Sequence, residues 1–319
     1  NADVAGAASD VGRSLETALD HFNWWGKSGF MIPLWVPFRA NRELAAAKRR
    51  MDALVYGIIA NRRRTGEDPG DLLSMLLNAR DDDGSGMSDV QLRDEVMTLL
   101  LAGHETTANA LTWTFMLLAQ HPESDARLAE ELRTVLGGRT PALDDIARLP
   151  YTDMVIKESM RLYPPAWVLG YEATEPVTIG GYPLAKGTAV LMSQWVTQRD
   201  ARWFAGPDEF RPERWADPAI KKLPTYAYFP FGGGERMCIG KPFALMEAVL
   251  LLATIAGRYR LTLLPGQDLV PEPSITIRPK NGPMMKKALI APPPSRSTMF
   301  AASMKRKAAA VATAQPPRK

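Results

Sequence analysis

The chain has 319 residues, of which 46% are hydrophobic and 23% charged, a composition ordinary for a soluble globular protein. No apolar run approaches the roughly 20 residues that cross a bilayer, and the first residues lack a signal-peptide pattern, so we expect no membrane span and a cytoplasmic location. The single cysteine excludes an internal disulfide framework and a multi-cysteine zinc site.

The net charge of +4 is concentrated at the C-terminus. Residues 291–319 carry no acid, and their cations leave a net charge of −2 for residues 1–290. The six cations are Arg296, Lys305, Arg306, Lys307, Arg318 and Lys319. This distribution argues against nucleic-acid binding by the rest of the chain. Because residues 291–319 are rich in Pro, Ala and Ser, we predict a disordered basic tail after a domain at 1–290, with anion or membrane binding by the tail as an alternative.

Helical patterns dominate the first half of the chain. Amphipathic helices are predicted over residues 9–25 and 39–62, and a short helix over 71–78. Ser88, with Gln91 three residues later, forms a capping-box pattern that opens a long helix. This helix is predicted to end near His121 and Pro122, and its length of roughly 45 to 50 Å would cross an entire domain.

The middle of the long helix contains the unusual run Ala102-Gly103-His104-Glu105-Thr106-Thr107. Glycine and paired threonines are poor helix formers, so their presence in a helix interior requires an explanation. Gly103 permits another group to approach the backbone, and a threonine hydroxyl can compete for a helical carbonyl.

The second half mixes helices with short strands. Further helices are predicted at 123–136, 151–163 and 242–257. Two kinds of strand are expected: a hairpin from Val177 through the Gly180-Gly181 turn to Leu191, and a short strand from Ser274 to Arg278. The predicted fold is mainly α-helical with small β-sheets.

Cys238 lies in the glycine-rich segment Phe231-Gly232-Gly233-Gly234-Glu235-Arg236-Met237-Cys238-Ile239-Gly240, which precedes a helix. The glycines let backbone amides approach the sulfur, and the following helix directs the positive end of its dipole toward it. Phe231 can shield the sulfur from water. This solitary thiol is therefore predicted to be a thiolate ligand.

The segment fits the signature Phe-x-x-Gly-x-Arg-x-Cys-x-Gly, so the chain resembles the cytochrome P450 family of haem-thiolate monooxygenases. The resemblance covers about residues 1–290 and implies a P450 fold without its N-terminal portion. It also implies haem b, with Cys238 as the axial ligand of the iron. The other implied haem contacts are Phe231, Gly234, Arg236, Gly240, Ala102 and Gly103.

Two further motifs resemble segments of the same family. Residues 102–106 match the segment that forms the family's oxygen-binding groove, which makes Glu105 and Thr106 the implied proton-delivering pair. Glu158 and Arg161 match the family's Glu-x-x-Arg helix, and the later Pro-Glu-Arg segment implies that Arg214 joins them in a structural triad.

The resemblance implies insertion of one oxygen atom from O2 into a hydrophobic substrate, with electrons from a ferredoxin or flavodoxin-type donor. Four residues fall where the family lines its substrate pocket: Val168, Leu169, Ser274 and Ile275. Two alternatives stay open. The chain could be an inactive or partly folded haem-binding fragment, or a haem-thiolate peroxygenase or isomerase.

Overall fold

The computed structural model describes residues 8–28 and 32–290 of the chain. Eight α-helices run through this part of the sequence: α1 Ala8–Ser28, α2 Arg39–Thr65, α3 Leu72–Asn78, α4 Asp89–Gln120, α5 Pro122–Leu136, α6 Pro150–Leu162, α7 Gln194–Thr197 and α8 Lys241–Ala256. The helices predicted from the apolar period are confirmed, apart from shifts of a few residues at their ends. No helix within the described ranges is long and apolar enough to span a membrane.

Helix α4 begins where its capping residues predict. The Ser88 hydroxyl accepts from the Gln91 amide, and the Gln91 side chain accepts from the Ser88 amide, so both ends of the capping box are made. With 32 residues, α4 extends about 48 Å. It is a continuous helix through Gly103, and Thr106 donates its hydroxyl to the Ala102 carbonyl without interrupting it.

Four antiparallel sheets of two strands each surround the helices: β1 Leu169–Glu172 with β4 Ala189–Met192, β2 Val177–Ile179 with β3 Tyr182–Leu184, β5 Tyr259–Leu263 with β8 Met285–Leu289, and β6 Pro271–Pro273 with β7 Ile277–Pro279. Short 3-10 turns fill several connections, including Leu143–Arg148, Pro212–Ala216 and Gly234–Arg236. The mainly helical prediction is confirmed.

Two strand predictions are wrong in detail. The hairpin at Gly180-Gly181 contains only β2 and β3, since the run ending at Leu191 pairs with β1 instead. Residues 274–276 form the turn between β6 and β7, where the Ser274 amide donates to the Thr276 carbonyl. The strand therefore begins at Ile277, after the chain has reversed.

The main core joins the C-terminal half of α4 to α5, α6 and α8. Its fully buried members include Trp113, Leu128, Val155 and Leu252. A smaller cluster packs α1 against α2, and another places the start of α4 against α2. Each buried large side chain contributes about 1.5–3 kcal/mol by leaving water. The core thus fixes α4 and α6, which carry predicted site residues, relative to α8, which begins directly after the cysteine loop.

Candidate active site

Cys238 lies on a tight loop between the 3-10 turn Gly234–Arg236 and the start of α8, and its side chain is exposed. The Cys238 amide donates to the Phe231 carbonyl at 2.9 Å, which closes the loop. Gly232 and Gly234 have φ of 71° and 66°, a left-handed conformation that favours glycine. The repeated glycines therefore have a geometric cause, and they bend the chain so that the thiol faces outward.

Neighbouring side chains hold the cysteine loop against the protein. Phe231 is half-buried and packs against the main core. A Cβ on Gly232 would lie 3.3 Å from Leu169 of β1, and one on Gly233 would overlap the ring of Tyr226. Larger residues at these two glycines would displace the loop from its support.

The surface beside Cys238 combines a cation with exposed apolar side chains. Arg236 is exposed and forms no ion pair within the described part of the chain. Ile239 is 91% exposed, and Met237 and Phe243 are also exposed. Several exposed apolar side chains close together in sequence make this loop a candidate binding surface. The combination suits a large apolar group that has an anionic edge.

The predicted oxygen-groove segment of α4 is open. Ala102 and Gly103 are exposed although they lie within a long helix, and a Cβ on Gly103 would meet no atom within 4 Å. Thr106 donates its hydroxyl to the Ala102 carbonyl at 2.6 Å. Since Thr114 makes the same contact with Ala110, the bond at Thr106 is ordinary for a helical threonine, and its oxygen retains the capacity to accept.

Glu105 takes part in a hydrogen-bonded group that spans two elements. Its Oε1 accepts from the Thr276 hydroxyl at 2.7 Å, and Thr276 accepts from Nδ2 of Asn109 at 3.0 Å. Thr276 and Asn109 are absent from the sequence predictions. The spacing of four between Glu105 and Asn109 was an available signal, because it places two polar groups on one helix face that needs a partner.

The predicted triad residues Glu158, Arg161 and Arg214 are in direct contact. Arg161 donates Nε and Nη2 to the Glu158 carboxylate, both at 2.9 Å, and Arg214 donates Nε at 2.8 Å. Burial lowers the pKa of the Arg214 guanidinium, while the adjacent carboxylate opposes that change. All three side chains are buried, so removal of the Glu158 charge would leave the two arginines without their counter-ion in the protein interior.

Arg161 and Arg214 also bind backbone carbonyls of residues 198–209, which follow α7. Arg161 donates to the carbonyls of Gln198, Pro207 and Glu209, and Arg214 donates to that of Ala205. These contacts satisfy carbonyls in a stretch that has little regular structure, where unpaired buried groups would be costly.

Gln198 links α6 to the approach of the cysteine loop. Its fully buried amide donates to the carbonyls of Met160 and Arg161, and its Oε1 accepts from the Phe229 amide at 3.0 Å. This contribution was not predicted, because a glutamine carries no local signal for a partner 31 positions away.

The predicted pocket residues lie on two adjoining segments. Val168 and Leu169 are half-buried at the start of β1, whereas Ser274 and Ile275 lie in the β6–β7 turn. The segments are joined because Nε1 of Trp167 donates to the Ser274 carbonyl at 2.8 Å. Leu169 also lies beside Gly232 of the cysteine loop, where an added Cβ would come within 3.3 Å of it.

Comparisons with known proteins give matches that cover most of this chain. A family model described as Cytochrome P450 matches residues 13–286. Cyclooctatin synthase of Streptomyces melanosporofaciens is 44% identical over 244 residues, which cover 76% of this chain and 53% of the relative. Pentalenene oxygenase of Streptomyces avermitilis is 38% identical, covering 76% of this chain and 54% of the relative.

A second protein of Streptomyces melanosporofaciens, cyclooctat-9-en-7-ol 5-monooxygenase, is 41% identical and covers 75% of this chain and 53% of its own length. The chain thus spans about half the length of the curated relatives it matches.

Proposed function

The chain belongs to the cytochrome P450 family, and we propose that it is a haem-thiolate monooxygenase chain that inserts one oxygen atom from O2 into a hydrophobic substrate. The observation that carries this proposal is the exposed thiol of Cys238, held outward by a glycine loop at the start of α8. The proposed domain covers residues 1–290, with 291–319 as a separate basic tail.

The residues around Cys238 fit haem b. The Cys238 thiolate would bind the iron, and Arg236 would pair with a propionate. Phe231, Gly234 and Gly240 would shape the loop that holds Cys238; a Cβ on Gly240 would lie 3.8 Å from the sulfur. When bound, haem supplies an iron at which O2 is reduced, and a thiolate ligand favours cleavage of the oxygen–oxygen bond.

On α4, Ala102 and Gly103 would provide the open face for O2. The proposed reaction consumes substrate, O2, two electrons and two protons, and yields hydroxylated product and water. Glu105 would carry a proton on its carboxylate, and Thr106 would accept a hydrogen bond at Oγ1. Thr106 lies three residues after the exposed Gly103 and bonds the Ala102 carbonyl, so its hydroxyl would act on the open side of the helix.

The proposed substrate is an apolar organic molecule, which Val168, Leu169 and Ile275 would contact with Ser274 beside them. Two relatives support this class, since their printed names specify pentalenene, an alkene, and cyclooctat-9-en-7-ol, an alkenol. Electrons would come from a separate ferredoxin or flavodoxin-type protein, and we propose that the reaction takes place in the cytoplasm.

Reconstitution with haem tests the proposal. The chain is incubated with haem and reduced under carbon monoxide, and its absorption spectrum is compared with that of Cys238→Ser. We expect the red-shifted Soret band of a thiolate-ligated haem in the parent chain alone. A band of the same position in both proteins, or in neither, would contradict Cys238 as the ligand. Product formed with hydrogen peroxide but not with O2 and a donor would favour a peroxygenase.

A further inference from the structure

Thr276 is buried in the β6–β7 turn and lies against α4. Its hydroxyl oxygen accepts from Nδ2 of Asn109, so that contact does not use the hydroxyl proton. The proton is directed to Oε1 of Glu105 at 2.7 Å. An amide NH2 only donates and a carboxylate only accepts, so the two neighbours together define the direction of the Thr276 hydroxyl.

The backbone on either side of Thr276 is anchored. Nε1 of the fully buried Trp113 donates to the Ile277 carbonyl at 3.1 Å, and Nε1 of Trp167 donates to that of Ser274 at 2.8 Å. These two contacts tie the turn to α4 and to the segment before β1. The Thr276 hydroxyl is consequently held at a fixed place beside Glu105.

We propose that Thr276 is a positioning residue that acts through Glu105. This inference rests on the proposed function, in which Glu105 carries a proton. Thr276 binds one carboxylate oxygen and thereby restricts rotation of the carboxylate, which leaves Oε2 for the proton. Oε2 forms no hydrogen bond within residues 32–290.

The same turn also contacts the proposed substrate pocket. Ile275, next to Thr276, is 57% exposed and is one of the predicted substrate contacts. The turn therefore presents an apolar substrate wall through one residue and supports the proton carrier through the next. The position of the Glu105 carboxylate and the shape of the proposed substrate pocket therefore both depend on the β6–β7 turn.

Loss of this support predicts a change in how electrons are used. Productive turnover converts substrate, O2, two electrons and two protons into hydroxylated product and water. Unproductive turnover gives hydrogen peroxide from O2, two electrons and two protons. The electrons come from the ferredoxin or flavodoxin-type donor in both cases. A displaced Glu105 delivers protons less well for bond cleavage, so the balance moves toward peroxide.

The first test measures pentalenene hydroxylation and peroxide release per NADPH, with haem-loaded chain, a ferredoxin and its reductase. In Thr276→Val we expect product per NADPH to fall about tenfold, less than the roughly 10²–10⁴-fold contribution of a positioned proton donor. Thr276→Ser, which restores the hydroxyl, is expected to recover it. The matched control is Thr114→Val, because Thr114 is equally buried and its hydroxyl bonds only the Ala110 carbonyl of its own helix.

The second test measures the contact without turnover. Urea unfolding free energies are compared for the parent, Glu105→Ala, Thr276→Val and the double variant, because alanine, unlike glutamine, leaves no oxygen to accept from Thr276. Non-additive losses support the contact, and additive losses overturn the proposal. The proposal is also overturned if Thr276→Val and Thr114→Val give the same ratio of product to hydrogen peroxide, or if Thr276→Ser fails to restore product. A parent chain without the thiolate Soret band contradicts the proposed function, and the unfolding comparison then tests only the contact between Thr276 and Glu105.

Discussion

Replacement of Glu158 by glutamine tests the buried charge cluster most directly. The Glu158 carboxylate accepts five hydrogen bonds, from Arg161 twice, Arg214, Trp215 and the Arg211 amide. Glutamine preserves the shape but offers one accepting oxygen, and its NH2 group faces donors. Two buried guanidinium groups then lose their counter-ion.

The magnitude follows from the burial. The side chains of Glu158 and Arg161 are both 0% exposed. Removal of one member of a buried ion pair costs about 3–5 kcal/mol of unfolding free energy. This is a large part of the roughly 5–15 kcal/mol that stabilises a typical domain. We therefore expect Glu158→Gln to shift the urea midpoint strongly.

The matched control is Glu130→Gln on α5. Glu130 also pairs with an arginine three residues later, Arg133, but these side chains are 62% and 67% exposed. Such a pair contributes only about 0–1 kcal/mol. Unfolding is followed by circular dichroism for the parent and both variants. If Glu158→Gln costs no more than Glu130→Gln, the reasoning about the buried cluster is refuted.

Three further outcomes are expected. Gly103→Ala should raise the unfolding free energy of the haem-free chain by up to about 1 kcal/mol, since the added Cβ meets no atom and alanine is the better helix former; a loss in urea titrations would disagree. Arg139 holds the pKa of Asp145 well below its usual range, so the ionised Asp145 carboxylate stabilises the fold above about pH 4. This stabilisation is lost as the pH falls through the lowered pKa. Asp145→Asn should flatten the acid limb of stability against pH. Burial raises the pKa of Tyr151 to about 12, so stability should decline between about pH 10 and this value as the unfolded chain loses its proton first. Ultraviolet difference titration against Tyr151→Phe measures that pKa.

The helices were predictable because their signals are local. Ser88 and Gln91 define the start of α4 by contacts three residues apart. The end of α2 was predicted three residues early, since its last turn depends on Gly66, which adopts φ of 66° and donates to the Arg62 carbonyl. A glycine in the left-handed conformation can close a further turn at the end of a helix, and apolar periodicity gives no signal for that turn.

The strands were less predictable because their partners lie elsewhere. Alternation near Leu191 indicates a strand but cannot distinguish β1 from the adjacent hairpin. The turn at residues 274–276 resembles a strand in composition, yet pairing of β6 with β7 requires the chain to reverse there. Register and reversal are set by tertiary contacts, which no window of sequence contains.

Within the candidate site, motifs identified side chains more readily than their supports. The Glu-x-x-Arg spacing brings Glu158 and Arg161 onto one face of α6, and the structure places Arg214 against them. Thr276 is 171 positions from the carboxylate it contacts, so only the fold brings it there. The haem and substrate roles of these residues stay predictions.

The Gln198 amide has a consequence for motion. Loops ordinarily open at little cost, independently of the core. The Phe229 amide, however, is bound to a side chain that simultaneously caps two carbonyls at the end of α6. Exchange of that amide hydrogen with solvent requires release of a buried glutamine from its helix. The approach to Cys238 is therefore tied to α6 at Phe229, and we expect this amide to exchange more slowly than an ordinary loop amide.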